Sequence, residues 1–222
     1  MIIDDLFSLA PYSLAKEQKE ALLSKILFNL TKYHYENCEA YKKILKILNF
    51  DSSIPCSLEQ LPFLPVRLFK ALELYSTERD KIVKVMTSSG TTSQKVSKIF
   101  LDATNARLQS KVLSHIITSF LENPRRPLLL LDSEIIKKDR RMYSARGAGV
   151  IGFSIFGKDI TYALDENMNI DINKIVNFCD RHKDEPILMF GYTYMVWKFI
   201  VRVLEERGIK LNMKNAILFH SG

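Results

Sequence analysis

Residues 87–98 read Thr-Ser-Ser-Gly-Thr-Thr-Ser-Gln-Lys-Val-Ser-Lys. Every position from Thr87 to Ser93 except Gly90 carries a hydroxyl, and two lysines follow. Hydroxyls and backbone N–H groups are the donors that wrap a phosphate, and an ammonium supplies the compensating charge. Gly90 lets the backbone turn where a Cβ would clash. The composition points to polyphosphate chemistry. Thr87, Ser88, Ser89, Gly90, Thr91, Thr92 and Ser93 are the candidate phosphate ligands, and Lys95 and Lys98 the candidate catalytic cations. A solvated Ser/Thr loop is the competing reading of the same residues.

Other stretches with chemical promise fail on context. Gly147-Ala148-Gly149-Val150-Ile151-Gly152 satisfies GxGxxG, but a dinucleotide site needs a strand before it and a helix after it. Here a charged, helix-like run precedes and a strand-like run follows, so these glycines are read as allowing close packing or lining a cavity. A Walker A loop fails because Lys95 stands where its second glycine should be. A GxSxG elbow is absent, and no histidine pair has metal spacing, so no metal site is expected. His34 continues an apolar helical stripe and reads as a packed core residue. His115 sits at the edge of another stripe and reads as solvated.

The elements expected around the hydroxyl-rich loop are two strands, 81–86 and 96–101, which make it a hairpin tip. Ahead of it stand a helix over 14–37, with Leu22, Leu23, Ile26, Leu27 and Leu30 on one stripe, a second helix over 39–48 and a proline-rich connector. Pro65 suits the first turn of a short helix carrying Val66, Phe69 and Lys70. After the loop, Asp102 is a plausible N-cap for an amphipathic helix. Residues 127–131 form an all-apolar strand of the kind buried on both faces. Strands are also expected over 151–156, 160–164, 186–190 and 216–219. Between them Asp171 caps one helix, and residues 194–207 form an apolar helix stopped by Gly208. This alternation predicts an α/β layered fold with a largely parallel sheet flanked by helices. It also predicts two parts: a helical lead-in over 1–75 and an α/β nucleotide-binding core over 76–222.

The chain has 222 residues, 47% of them hydrophobic and 10% aromatic, enough for a real core. The most apolar stretch, 187–201, is broken by Gly191, Thr193 and Lys198, so no membrane span is expected. Cys38, Cys56 and Cys179 form an odd set without a CxxC pair. That suits a reducing cytoplasm, and Cys179 falls on a core face. The net charge of +7 includes a basic cluster at Arg125-Arg126 and 137–146. It reads as a solvated basic face, with nothing that resembles a nucleic-acid platform.

Beyond these readings, residues 87–93 resemble the phosphate-binding loop of adenylate-forming enzymes, whose pattern is Ser-Gly-Thr-Thr-Gly followed by Pro-Lys. With a PV-x-LFK phrase at 65–70 ahead of it and Asp102 behind it, the chain from about Pro62 onward resembles the acyl-protein synthetase (LuxE-type) family. The resemblance implies a ligase that uses ATP, with Mg²⁺, to turn a carboxylic acid into an acyl-adenylate and pyrophosphate. The acyl group then passes to a thiol. In the luminescence members the acid is a long-chain fatty acid and the acceptor is a protein cysteine, then a reductase partner; a carrier protein is the other implied acceptor. By the same resemblance Gly191, Tyr192, Thr193 and Tyr194, with residues 145–149, line the acyl pocket. The adenine wall begins at His220, Ser221 and Gly222. Two departures stand out: Ser93 replaces the family's second loop glycine, and Val96 holds the place of its lysine. Family members continue past the point matching Gly222, so the chain is expected to represent the N-terminal core of such an enzyme. A phenylacetate–CoA-ligase-like enzyme and a non-catalytic nucleotide-binding module are the alternatives.

Overall fold

A computed structural model describes residues 6–88, 95–122, 125–137 and 145–222. The chain forms two compact units, divided between Phe120 and Leu121.

The first unit opens with helix α1 (Lys16–Asn37) and helix α2 (Glu39–Ile47). A connector with one short 3₁₀ turn leads to helix α3 (Leu68–Ala71). Strands β1 (Ile82–Thr87) and β2 (Lys98–Asp102) pair antiparallel, as the expected hairpin requires. Asp102 caps helix α4 (Ala103–Thr118): its carboxylate accepts from the Asn105 N–H at 2.7 Å. The helices form where the periodicity puts them, but their stripes are not uniformly covered. Leu23, Leu27 and Leu30 of α1 and Val112 of α4 are exposed. Periodicity says which residues share a face, not what packs against it.

The second unit is a four-stranded parallel sheet in the order β4-β3-β5-β6. Its strands are β3 (Arg126–Ser133), β4 (Gly157–Leu164), β5 (Leu188–Tyr192) and β6 (Ile217–Ser221). All eight residues of β3 are buried, as the apolar run predicts for a central parallel strand. Helix α5 (Ala145–Ser154) follows β3 and packs on the face carrying Phe190 and Phe219. Phe153 stacks on Phe190 with ring centroids 3.9 Å apart. On the opposite face, helix α6 (Ile172–Arg181) and the helical run 193–206 (α7) enclose a core of Leu129, Leu131, Ile175, Phe178, Met195 and Ile200. Gly208, at φ +63°, ends α7 in the left-handed region that a Cβ disfavours.

Several expectations change here. Residues 151–154 are helical, not a strand: the branched run Val150-Ile151 lies on α5, where tertiary packing overrides β-propensity. The three glycines of the GxGxxG stretch therefore sit inside a helix. At Gly149 their close-packing role is visible, since a Cβ there would fall 2.5 Å from Tyr192 Oη. His34 is exposed and bonds Ser76 Oγ through Nδ1 at 2.7 Å, so it is not a core residue. His115 is half-buried and bonds the Leu9 carbonyl at 3.0 Å instead of facing solvent. The basic cluster is not simply solvated either, because Arg126 is only 5% exposed. Nor is α7 uniformly buried, because Tyr194 and Trp197 are exposed. Cys179 is buried as expected. No helix among the described residues is long and apolar enough to cross a membrane.

Candidate active site

In the first unit the hairpin stem holds the ends of the hydroxyl-rich loop. Thr87 pairs with Lys98, the last rung of the β1–β2 ladder. Beyond it the Ser88 N–H donates to the Ser97 carbonyl at 3.1 Å, and the Ser97 N–H donates to Ser88 Oγ at 3.1 Å. Ser88 thus has its hydroxyl committed to the stem as an acceptor. Ser89, Gly90, Thr91, Thr92 and Ser93 lie outside the described residues. Lys95 is exposed at the loop exit. Lys98 Nζ donates to Glu73 Oε1 at 3.0 Å, so it carries a carboxylate partner that the sequence reading did not supply.

In the second unit the candidate residues lie at the carboxyl edge of the sheet. The helix after β3 packs on one face and the helix after β5 on the other. Neighbouring strands whose connections diverge in this way leave a crevice beyond their carboxyl ends. Gly191 and Tyr192 end β5, and His220 and Ser221 end β6; they stand in register, Gly191 beside His220 and Tyr192 beside Ser221. Thr193 Oγ1 and His220 Nδ1 are 2.9 Å apart, which ties the start of α7 to β6. Gly222 lies against the Tyr192 ring. Gly191 has no room for a side chain, because a Cβ would meet Val196 Cγ2 at 2.8 Å and Leu131 Cβ at 2.9 Å. Tyr194 points elsewhere: it is exposed and accepts from Lys198 Nζ at 2.9 Å. Those contacts do not bring it into the cluster formed by the other three.

Two further residues complete the crevice. Asp132, fully buried at the end of β3, accepts from Arg146 Nε at 2.8 Å and from Arg146 Nη2 in a bidentate pair. Arg146 belongs to the first turn of α5, so the pair pins that helix end over the strand ends. The side-chain bond to Asp132 raises the Arg146 pKa above its ordinary value. Burial, and then the nearby Asp132 charge, push the Tyr192 phenol up as well, so it stays a protonated donor at neutral pH. The result is a neutral ion pair, its guanidinium partly exposed, beside a neutral phenol at one strand edge. Sequence reasoning grouped Arg146 with a basic cluster and missed Asp132. The available signal was a lone carboxylate closing the apolar run 127–131, the position that faces a parallel-sheet crevice.

This combination of parallel sheet, flanking helices and carboxyl-edge crevice is the fold of adenylate-forming ligases. Two solved states of 2-hydroxyisobutyryl-CoA ligase share it. An open conformation in complex with 2-HIB-AMP and CoA superposes with a TM-score of 0.64 at 12% identity, over 95% of this chain and 49% of the ligase. A postadenylation state with 2-HIB-AMP gives 0.63 at 12% identity, over 94% and 44%. The chain therefore spans about half the length of these ligases. At that identity the likeness speaks for the fold alone.

The chain belongs to the acyl-protein synthetase, LuxE, family, which matches residues 1–222. It is also similar to a long-chain-fatty-acid–luciferin-component ligase of Photorhabdus luminescens. The two are 30% identical over 94 residues, which cover 42% of this chain and 80% of that relative.

Proposed function

We propose that this chain supplies the nucleotide- and acid-binding part of an adenylate-forming ligase of the acyl-protein synthetase type. In this reading residues 76–222 are the nucleotide-binding core and 1–75 a helical lead-in. The substrate is a fatty acid, as the name of the Photorhabdus relative suggests. One carboxylate oxygen attacks the α-phosphorus of ATP, the bond to the bridging oxygen breaks, and pyrophosphate leaves. A thiol of the protein itself, a reductase or a carrier then attacks the acyl carbon of the adenylate, forming a thioester as the acyl–phosphate bond breaks and AMP leaves.

One observation carries the reading. The stretches expected to meet the acid (Gly191, Tyr192 and Thr193) and the adenine (His220, Ser221 and Gly222) are neighbours at one sheet edge. Ligands held on adjacent strand ends are pre-positioned, which removes much of the entropic barrier to joining two anions. In this reading Arg146, fixed by Asp132, would offer its remaining N–H groups to the phosphate. The loop 87–93 would grip the β- and γ-phosphates, with Lys95 and Lys98 neutralising them. Among the described residues no cluster of three or more acidic, histidine or cysteine groups is arranged to hold a metal. In this reading Mg²⁺ would enter with the phosphates, a common mode for it.

The test is ATP–pyrophosphate exchange by the whole chain with and without added long-chain fatty acid, followed by hydroxylamine trapping of the acyl-adenylate. Acid-dependent exchange and a trapped hydroxamate are expected. Exchange absent with every acid, while ATP still binds, would leave a nucleotide-binding module in place of a ligase. Thr91→Ala combined with Thr92→Ala should weaken ATP binding roughly tenfold or more without moving the thermal midpoint. Unchanged affinity in that variant would remove the loop from the site.

A further inference from the structure

The PV-x-LFK phrase of the connector has no role in the site described so far. Its lysine, Lys70, lies in the short helix α3 and lines a cavity of about 490 Å³ beside the hairpin stem. Lys95, Lys98 and Glu73 line the same cavity. Three lysines and one glutamate from two segments of the chain thus border one concavity, between the apolar residues Phe69, Ala71, Leu72 and Val96. Like charges gathered on a concave wall repel one another and focus the field outward. An anion entering it would meet several cations at once. A single carboxylate ligand would balance one cation, whereas a polyphosphate matches several at once.

The pairing pattern sharpens the point. Glu73 bonds Lys98 at 3.0 Å and has Arg79 at 3.9 Å on its other oxygen. Lys70 and Lys95 make no ion pair with any described residue. The Glu73 and Lys98 side chains are 44% and 45% exposed, so their bond is screened by water and easily exchanged. Lys98 Nζ and Glu73 Oε1 already occupy the spacing that an ammonium and a phosphate oxygen would take.

We propose that Lys70 is a third cation of the polyphosphate site, and that Glu73 is a resident counter-ion which holds Lys98 until a phosphate replaces it. The proposal rests on the adenylation reading. It adds an anion-binding residue from outside the loop and a carboxylate that competes with the substrate. In the ligand-free protein the carboxylate keeps Lys98 extended toward the cavity. When a polyphosphate enters, Lys98 exchanges one oxygen partner for another and Glu73 is released to solvent.

Titration calorimetry of the full chain with sodium tripolyphosphate, and separately with ATP, at low and moderate salt decides the matter. Lys70→Met should bind tripolyphosphate about tenfold more weakly, with a shallower salt dependence, and Lys70→Arg should retain most of the affinity. Glu73→Gln should bind severalfold more tightly, because no carboxylate has to be displaced. Lys210→Met, far along the sequence in the second unit, is the control for non-specific attraction and should bind as the parent does. Matching circular dichroism spectra and thermal midpoints would show that the variants are folded. The proposal is overturned if Lys70→Met binds within twofold of the parent and Glu73→Gln is no tighter, or if Lys210→Met loses as much as Lys70→Met. If the parent binds tripolyphosphate and ATP but Lys70→Met is silent, only this proposal fails. If the parent binds neither, the adenylation reading falls with it.

Discussion

Asp132 with Arg146 in the second unit, and Glu73 with Lys98 in the first, are both carboxylate–cation pairs, but their surroundings oppose each other. Asp132 is fully buried at the end of a central strand and meets a guanidinium in two parallel bonds. Glu73 is a half-exposed side chain meeting a single flexible ammonium. Burial makes the first pair a fixed part of the fold, since either partner left alone would strand a charge away from water. Exposure makes the second pair exchangeable, since water stands ready to replace either partner. The crevice therefore has a rigid electrostatic floor, whereas the loop stem has a replaceable one. Under the proposed function that contrast would suit an acid and a nucleotide core held in fixed geometry and a polyphosphate that enters and leaves.

Substitutions test this contrast directly. The largest effect is expected for Arg146→Met, which leaves Asp132 buried without a partner. It should cost about 3 kcal/mol in urea unfolding, the lower end of the range for broken buried pairs because the arginine is partly exposed. Combining it with Asp132→Asn should recover much of the loss. If the single variant unfolded like the parent, the rigid-floor description would be wrong. Next comes Gly191→Ala, whose added Cβ meets the Val196 side chain and Leu131 between sheet and helix. Overpacking there should cost about 2 kcal/mol, read by the same urea titration. Gly149→Ala should lose less, about 1 kcal/mol, because helix propensity offsets part of the clash with the Tyr192 hydroxyl. In a Tyr192→Phe background the clashing oxygen is gone and the penalty should shrink, which double-variant unfolding would reveal.

The smallest effects belong to the first unit. Glu73→Gln should leave the thermal midpoint where it is while altering anion affinity; a clear drop in midpoint would make that pair structural after all. His34 is exposed at its edge, but the Tyr33 and Tyr41 rings against it desolvate the imidazole and hold it below its ordinary value of 6.5. The unfolded chain then takes up a proton more readily than the folded one. Stability is complete above about pH 6.5 and declines as the pH falls through the folded value. Solvent screening keeps this term under about 1 kcal/mol. The acid limb of stability measured between pH 8 and pH 5 should flatten slightly in His34→Asn.

Much of the architecture was legible before any coordinates. The buried run 127–131, the capping aspartates Asp102 and Asp171, and the stop at Gly208 each carry a local signal strong enough to fix an element. The strand expected over 151–156 misled because branched residues favour strands only in the absence of a better tertiary partner. The aromatic stack of Phe153 on Phe190 places that stretch on a helix. Candidate residues followed the same division. His220, Gly191 and Tyr192 were legible through resemblance, and their adjacency arises from the pairing of β5 with β6. The pairings of Asp132 and Glu73 were not legible, because their partners Arg146 and Lys98 lie far away in sequence.

The sequence by itself determined the buried strand at 127–131, the caps at Asp102 and Asp171, the stop at Gly208, and that a hydroxyl-rich stretch lies between two paired strands, but not the helix over 145–154. These follow from periodicity, capping and turn chemistry, which act over a few residues. Only the tertiary structure decided that Arg146 is locked by Asp132, that Lys98 is answered by Glu73, and that Lys70 shares their cavity. Electrostatic partnership depends on distance and on the water left between charges, and chain order fixes neither.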